Sequence, residues 1–239
     1  MLAGMAPAYQ VATMPRMGLL EHPDLGTCAY RLTDVSDIPD AQVEQVIEWM
    51  RSYASEDAGS APIKEDASQA AQIGDPIIDT WNWISRRGGS RGMQFQRDEA
   101  TAAPWDLDPW NPIVEMLIRP ADQARLQQPI GDCDDFAMYG AAHLLAHRIP
   151  CSFVTIAADA EAPAQYSHVY LAAYPESGQF AGMRVAMDLS HGWYPGWEHT
   201  EVFRFREWPV KTWMSRVLPY AAAGAGAYLL YRALSGRVN

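Results

Sequence analysis

The chain has too few cysteines, too little positive charge and too short an apolar run for several whole classes of protein. Its three cysteines, Cys28, Cys133 and Cys151, contain no CxxC and cannot pair evenly. That excludes a disulfide framework and points to a reducing compartment such as the cytoplasm. Lysine and arginine number 18 against 29 acidic residues, a formal net charge of −11. Phosphate contacts need cations, so nucleic acid is not an expected partner. HExxH and EF-loop spacings are missing, and neither a metal nor a cofactor is expected. The first 18 residues have no cationic segment ahead of an apolar run, and Pro7 and Pro15 interrupt them. No secretory signal is expected there. There is no internal repeat.

What is present is enough for a folded core. The chain has 239 residues, 49% of them hydrophobic, and nine tryptophans suited to core, interface or groove packing. The pattern divides it into an extended N-terminal arm (1–38), a main domain (39–210) and an Ala/Gly-rich C-terminal helix (211–239). One or two short strands are expected around 28–32. Val43, Val46, Ile47 and Met50 share one helical face, so a helix starts near Asp40. Residues 54–67, rich in Ala, Ser, Asp and Glu, suggest a linker. Asp75-Pro76 caps a helix that Gly88-Gly89 ends. Asn111-Pro112 repeats that signal and predicts a short helix to 118. A long helix follows over 132–147, then strands at 151–157, 168–174, 183–189 and 201–205. Pro175-Glu176-Ser177-Gly178 marks a hairpin between the second and third of these. Helices first and an antiparallel sheet after them give an α+β class.

Residues 217–231 carry no charge and lie between Arg216 and Arg232. A span needs about 17 residues at least, so the stretch is short for crossing a bilayer. Membrane contact and docking on a partner chain both remain open. Both termini are candidate arms for assembly partners.

The chemistry gathers in Gly131-Asp132-Cys133-Asp134-Asp135, Ser167-His168-Val169 and Met187-Asp188-Leu189. Cys133 opens a helix, where backbone N–H groups and the helix dipole favour thiolate and can form an oxyanion hole. Asp132 is the expected N-cap, and the neighbouring carboxylates oppose thiolate unless they point away or meet cations. Strand alternation groups His168 with Tyr170 and Ala172, turned toward the Cys133 helix. His168 is then the base for the thiol, and Asp188 orients it.

The runs GDCDDFAMYGAAHLL, SHVYLAAY and VAMDLSHG, within 110–192, resemble the transglutaminase-like, papain-fold superfamily of cysteine acyltransferases and peptidases. The resemblance implies a core in which a nucleophile helix packs on an antiparallel sheet. It makes Cys133 the nucleophile, His168 the base and Asp188 the orienting carboxylate, acting on protein or peptide amides. It also implies a polar oxyanion helper, with Gln128 as the candidate beside the Cys133 amide. Trp193, Tyr194 and Trp197 are candidate walls of a substrate groove. Members include copies without catalysis and bacteriophage proteins, so a structural part of a virion is the alternative. His143 and His147, four apart, could pair as metal ligands but suit a partly exposed helix face. A metal group of Asp132, Asp134, Asp135, His168 and Asp188 is the rival chemistry.

Overall fold

The structure, a computed structural model, describes residues 17–32, 39–103 and 113–210. Residues 1–16 and 211–239 lie outside it, and so does the apolar stretch 217–231. Among the described residues no helix is long and apolar enough to cross a membrane.

Strands β1 (Met17–His22) and β2 (Gly26–Leu32) pair as an antiparallel hairpin. Part of the stretch assigned to an arm is thus a sheet, which β4 (Ile113–Ile118) completes by pairing with β2. The helix expected over 111–118 is corrected here. Ile-Val-Glu-Met-Leu-Ile is a short apolar run opened by β-branched residues, and its edge pairs with a waiting strand.

Helix α1 (Pro39–Asp57) buries Ile47, Met50 and Ala54. The linker expected over 54–67 is instead the end of α1 followed by α2 (Ala61–Ala70). Ser60 caps α2, its Oγ accepting from the Ile63 N–H, with proline in the first turn. Helix α3 (Pro76–Ile84) starts as predicted, with Asp75 Oδ1 accepting from the Ile77 N–H at 3.0 Å. Strand β3 (Gln94–Phe95), helix α4 (Asp98–Thr101), helix α5 (Pro120–Gln123) and strand β5 (Ile130–Gly131) are short. Strands β3 and β5 pair in parallel.

Helix α6 (Cys133–Ala146) is the pillar of the fold. Every residue from Asp134 to Leu145 is buried, the mark of a helix surrounded on all sides. It packs against α1, α2, α3 and β7 (His168–Ala173). That strand lies in an antiparallel sheet ordered β8-β7-β6-β9, with β6 (Cys151–Ala157), β8 (Val185–Met187) and β9 (Arg204–Pro209). Strand β9 starts three residues later than the sequence alternation places it, and β8 is a three-residue core of the longer run expected. The result is mixed α and β, with helices on one face of the antiparallel sheet.

His143 corrects a further expectation. It is fully buried rather than on an exposed face. Its Nε2 lies 2.9 Å from Asp66 Oδ2, which also accepts from Tyr139 Oη and, at 3.0 Å, from Trp83 Nε1. Burial alone pushes Asp66 up; the His143, Tyr139 and Trp83 hydrogen bonds outweigh it and hold the carboxyl low. This network ties α2, α3 and α6 together.

Candidate active site

Cys133 is the first residue of α6, and Asp132 caps the helix, with Oδ1 accepting from the Asp134 N–H at 3.3 Å. Gly131 permits this entry. Its φ is +152°, and a Cβ there would overlap the Asp135 carboxylate. The other first-turn amides are spent: Asp135 N–H on Asp134 Oδ1 at 2.6 Å, Phe136 N–H on the Asp132 carbonyl at 3.1 Å. The Cys133 N–H is the donor left unengaged within that turn.

His168 begins β7, and Asp188 follows β8. His168 Nε2 lies 2.8 Å from Asp188 Oδ2. An ionised carboxylate only accepts, so Nε2 carries the proton and Nδ1 is the basic nitrogen of the neutral ring. Asp188 takes three further donors. His199 Nε2 reaches Oδ2 at 3.0 Å, Ser190 Oγ reaches Oδ1 at 3.0 Å, and the His191 N–H reaches Oδ1 at 2.9 Å. Burial alone pushes Asp188 up, but the His168 and His199 hydrogen bonds outweigh it and hold the carboxyl well below the usual range. The His191 ring sits edge-on to His168, centroids 4.9 Å apart, and burial, then His168, lowers its pKa.

The orientation of His168 is reversed from expectation. Val169, Leu171 and Ala173 join the core around α6, while Tyr170 and Ala172 join a smaller cluster on the other face. Period two puts His168 with Tyr170, whose ring stacks on it at 6.1 Å. The apolar set takes the helix side because burial is available there. Cys133 and His168 still share a rim, because each is the first residue of its element. Both line two cavities of about 270 and 470 Å³. The smaller is walled by Val43, Val46 and Ile47 of α1, the larger by Phe95, His191 and His199. Among the described residues no hydrogen bond joins the Cys133 thiol to His168.

Burial, and then the charges of Asp132 and Asp134, push the Cys133 thiol well above its ordinary value; the Val169 backbone pulls the other way. Asp98 and Glu115 extend the acidic group that Asp132, Asp134 and Asp135 begin, and burial raises all five carboxyls, Glu115 to about 7. Cys28 and Cys151 are buried in the core and each is pushed to about 12, chiefly by that burial.

The remaining candidates lie farther out. Gln128 is exposed and donates its amide to the Gly92 carbonyl at 3.1 Å. Trp193 is 61% exposed, with Arg87 stacked on its ring at 3.8 Å, and Tyr194 is 60% exposed. Trp197 meets the edge of His199, centroids 4.7 Å apart, and so touches the site indirectly. None of these four lines either cavity. The five-residue metal group drawn from sequence is split. His168, Asp188 and His199 converge in one place, and Asp98, Asp132 and Asp134 in another.

Sequence reasoning missed His199, Ser190, Asp98 and Glu115. Ser190 and His191 stand two and three residues after Asp188, positions from which a hydroxyl and an amide turn back onto a carboxylate, and that signal is present in the sequence. Glu115 was hidden by the helix assignment of its strand. Comparison with protein-family models, curated proteins and solved structures finds no match to this chain.

Proposed function

We propose that the protein is a cysteine-nucleophile enzyme that transfers or hydrolyses acyl groups at peptide or protein amide bonds. Its core would be papain-like and transglutaminase-like, with α6 supplying the thiol and the facing sheet the imidazole and carboxylate. The observation that carries the reading is the His168–Asp188 hydrogen bond, which leaves Nδ1 basic beside cavities that Cys133 also lines. Nδ1 takes the thiol proton as sulfur attacks the carbonyl carbon, and the Cys133 N–H faces the developing oxyanion. The imidazolium returns that proton to the leaving amine, giving a thioester. Water or an amine then attacks the thioester and loses its proton to Nδ1; the C–S bond breaks, the sulfur takes that proton back, and an acid or a new amide is freed. A protonated, desolvated thiol suits this order, because the proton leaves only as substrate arrives. Hydrogen bonds of this kind commonly tighten only with substrate bound.

A second reading rests on the same thiol. Protonated and not bonded to His168, it fits a chain that uses this fold as a structural component of a larger assembly such as a bacteriophage virion. One experiment separates the two. The full chain is incubated with a p-nitrophenyl ester and followed by mass spectrometry, with Cys28 and Cys151 as internal controls. The enzyme reading expects a thioester on Cys133 alone, formed at least about 100-fold more slowly in His168→Ala. Equal, slow modification of all three cysteines would leave the structural reading standing.

A further inference from the structure

Carboxyl oxygens around Cys133 outnumber the donors that face them. Asp98, at the start of α4, is 6% exposed. Its Oδ2 accepts from the Met116 N–H at 2.9 Å, and its Oδ1 has no partner. Oδ1 of Asp132 and Oδ1 of Asp134 each accept one amide of the α6 first turn. Helix capping therefore accounts for one oxygen of each of these two residues. It does not account for Asp98, which comes from another element. One oxygen each from Asp98, Asp132 and Asp134 lie within 4.8 Å of one another. Glu115 of β4 lies close enough to Asp134 for each to shift the other's pKa, and it brings a fourth carboxyl. Arg31 lines one adjoining cavity and acts on Glu115, and Arg97 lines the other, but two guanidiniums against four carboxyls leave the group acidic.

Three carboxylates held this close in a poorly solvated place repel one another unless protons or a cation stand between them. An oxygen-only set suits a hard ion. The irregular approach from α4, α6 and β4 suits a cation that tolerates variable geometry, as Ca²⁺ does and Mg²⁺ does not. Asp98 and Asp132 line both cavities, so water can complete the shell.

We propose that Asp98, Asp132 and Asp134, with Glu115 at the margin, bind one hard divalent cation of the Ca²⁺ class. This site is separate from the His168–Asp188–His199 group and does not depend on the acyl-transfer reading.

The test uses the full chain after EDTA treatment, titrated calorimetrically with CaCl₂, MgCl₂ and ZnCl₂ in turn, with thermal melts alongside. One Ca²⁺ per chain is expected, with a rise in Tm. Asp98→Asn keeps an acceptor for the Met116 amide and should weaken Ca²⁺ by at least about tenfold. Asp132→Asn should do the same, and covers the case in which Asp98→Asn melts early in EDTA. Cys133→Ser should bind Ca²⁺ as the unaltered chain does. No heat and no Tm shift with Ca²⁺ would overturn the proposal, as would unaltered binding in both Asn variants. Tighter Mg²⁺ than Ca²⁺ would overturn the assigned ion. Binding of Zn²⁺ alone, lost in Cys133→Ser, would replace the carboxylate site with a thiolate one.

Discussion

Glu115→Gln should flatten the fall of stability with rising pH. Burial, aided by the charges of Asp98 and Asp132 and opposed by an Asp134 hydrogen bond and by Arg31, lifts Glu115 from the usual 4.5 to about 7. The unfolded chain releases this proton near 4.5, whereas the folded chain holds it until about 7. Between those values the folded state binds more protons, so its stability is full below the lower pKa and declines as pH rises toward the upper one. A gap of about 2.5 units corresponds to about 3 kcal/mol, an upper figure because Glu115 keeps some contact with solvent. Glutamine has nearly the same shape and no proton to lose. Urea unfolding of both proteins at pH 5, 6, 7 and 8, with EDTA present so that no cation replaces protons, gives ΔG by linear extrapolation. The unaltered chain should lose stability over that range, and the variant should lose less by about 2–3 kcal/mol. Parallel curves would refute the claim that this carboxyl stays protonated in the fold.

Three further outcomes follow from named contacts. Asp66→Ala removes the acceptor shared by Tyr139, His143 and Trp83, and should cost about 3–5 kcal/mol in denaturant unfolding; a loss under about 1 kcal/mol would show that these donors find other partners. Gly140→Ala would drive a Cβ into Leu189 Cδ1 and to 2.8 Å from Leu171 Cδ1, and should lower stability by about 1–3 kcal/mol, read from the same curves. Asp188→Asn should slow thioester formation on Cys133 by about 100-fold or more, because an amide can donate to Nε2 and so shift the proton to Nδ1. The same variant should be destabilised more at pH 7 than at pH 2.5, since a depressed carboxyl contributes fully above its ordinary value of 3.8 and loses that contribution step by step as pH falls below it toward the folded one; equal loss at both would refute the role of ionisation.

The parts of the fold visible in the sequence were those where hydrophobic period and punctuation agreed. Val43, Val46, Ile47 and Met50 gave α1, and Asp75-Pro76 gave α3 its start. Helix α2 was invisible for a physical reason. Its buried positions, Ile63, Asp66, Ala67 and Ala70, do recur at helical spacing, but one is a carboxylate and two are alanines. A face that packs through small residues and a buried ion has almost no hydrophobic contrast. The donors that make Asp66 tolerable inside, Trp83, Tyr139 and His143, come from two other helices. Strand β4 failed differently. Four to eight apolar residues suit a buried strand or a helix turn equally, and Asn111-Pro112 tipped the choice toward a helix. What decides for a strand is β2, about 80 residues earlier, offering an open edge.

The site shows the same division between local and distant causes. The positions of Cys133 at a helix start, of His168 at the start of a strand and of Asp188 just after the neighbouring one were legible, because each depends on a few adjacent residues. Which way His168 points was not. Alternation alone says that it shares a face with Tyr170, but it does not say which face the helix takes. That is decided by summed burial along β7, where Val169, Leu171 and Ala173 outweigh their neighbours and claim α6. His168 is thereby delivered to Asp188 and His199 first, and to Cys133 only across the rim of the sheet. The His168–Asp188 hydrogen bond is fixed by the fold, whereas among the described residues no bond joins the Cys133 sulfur to the imidazole. Any catalysis must therefore draw on substrate binding in the two cavities to bring the thiol and Nδ1 together, and a ligand filling both should change His168 more than it changes Asp188.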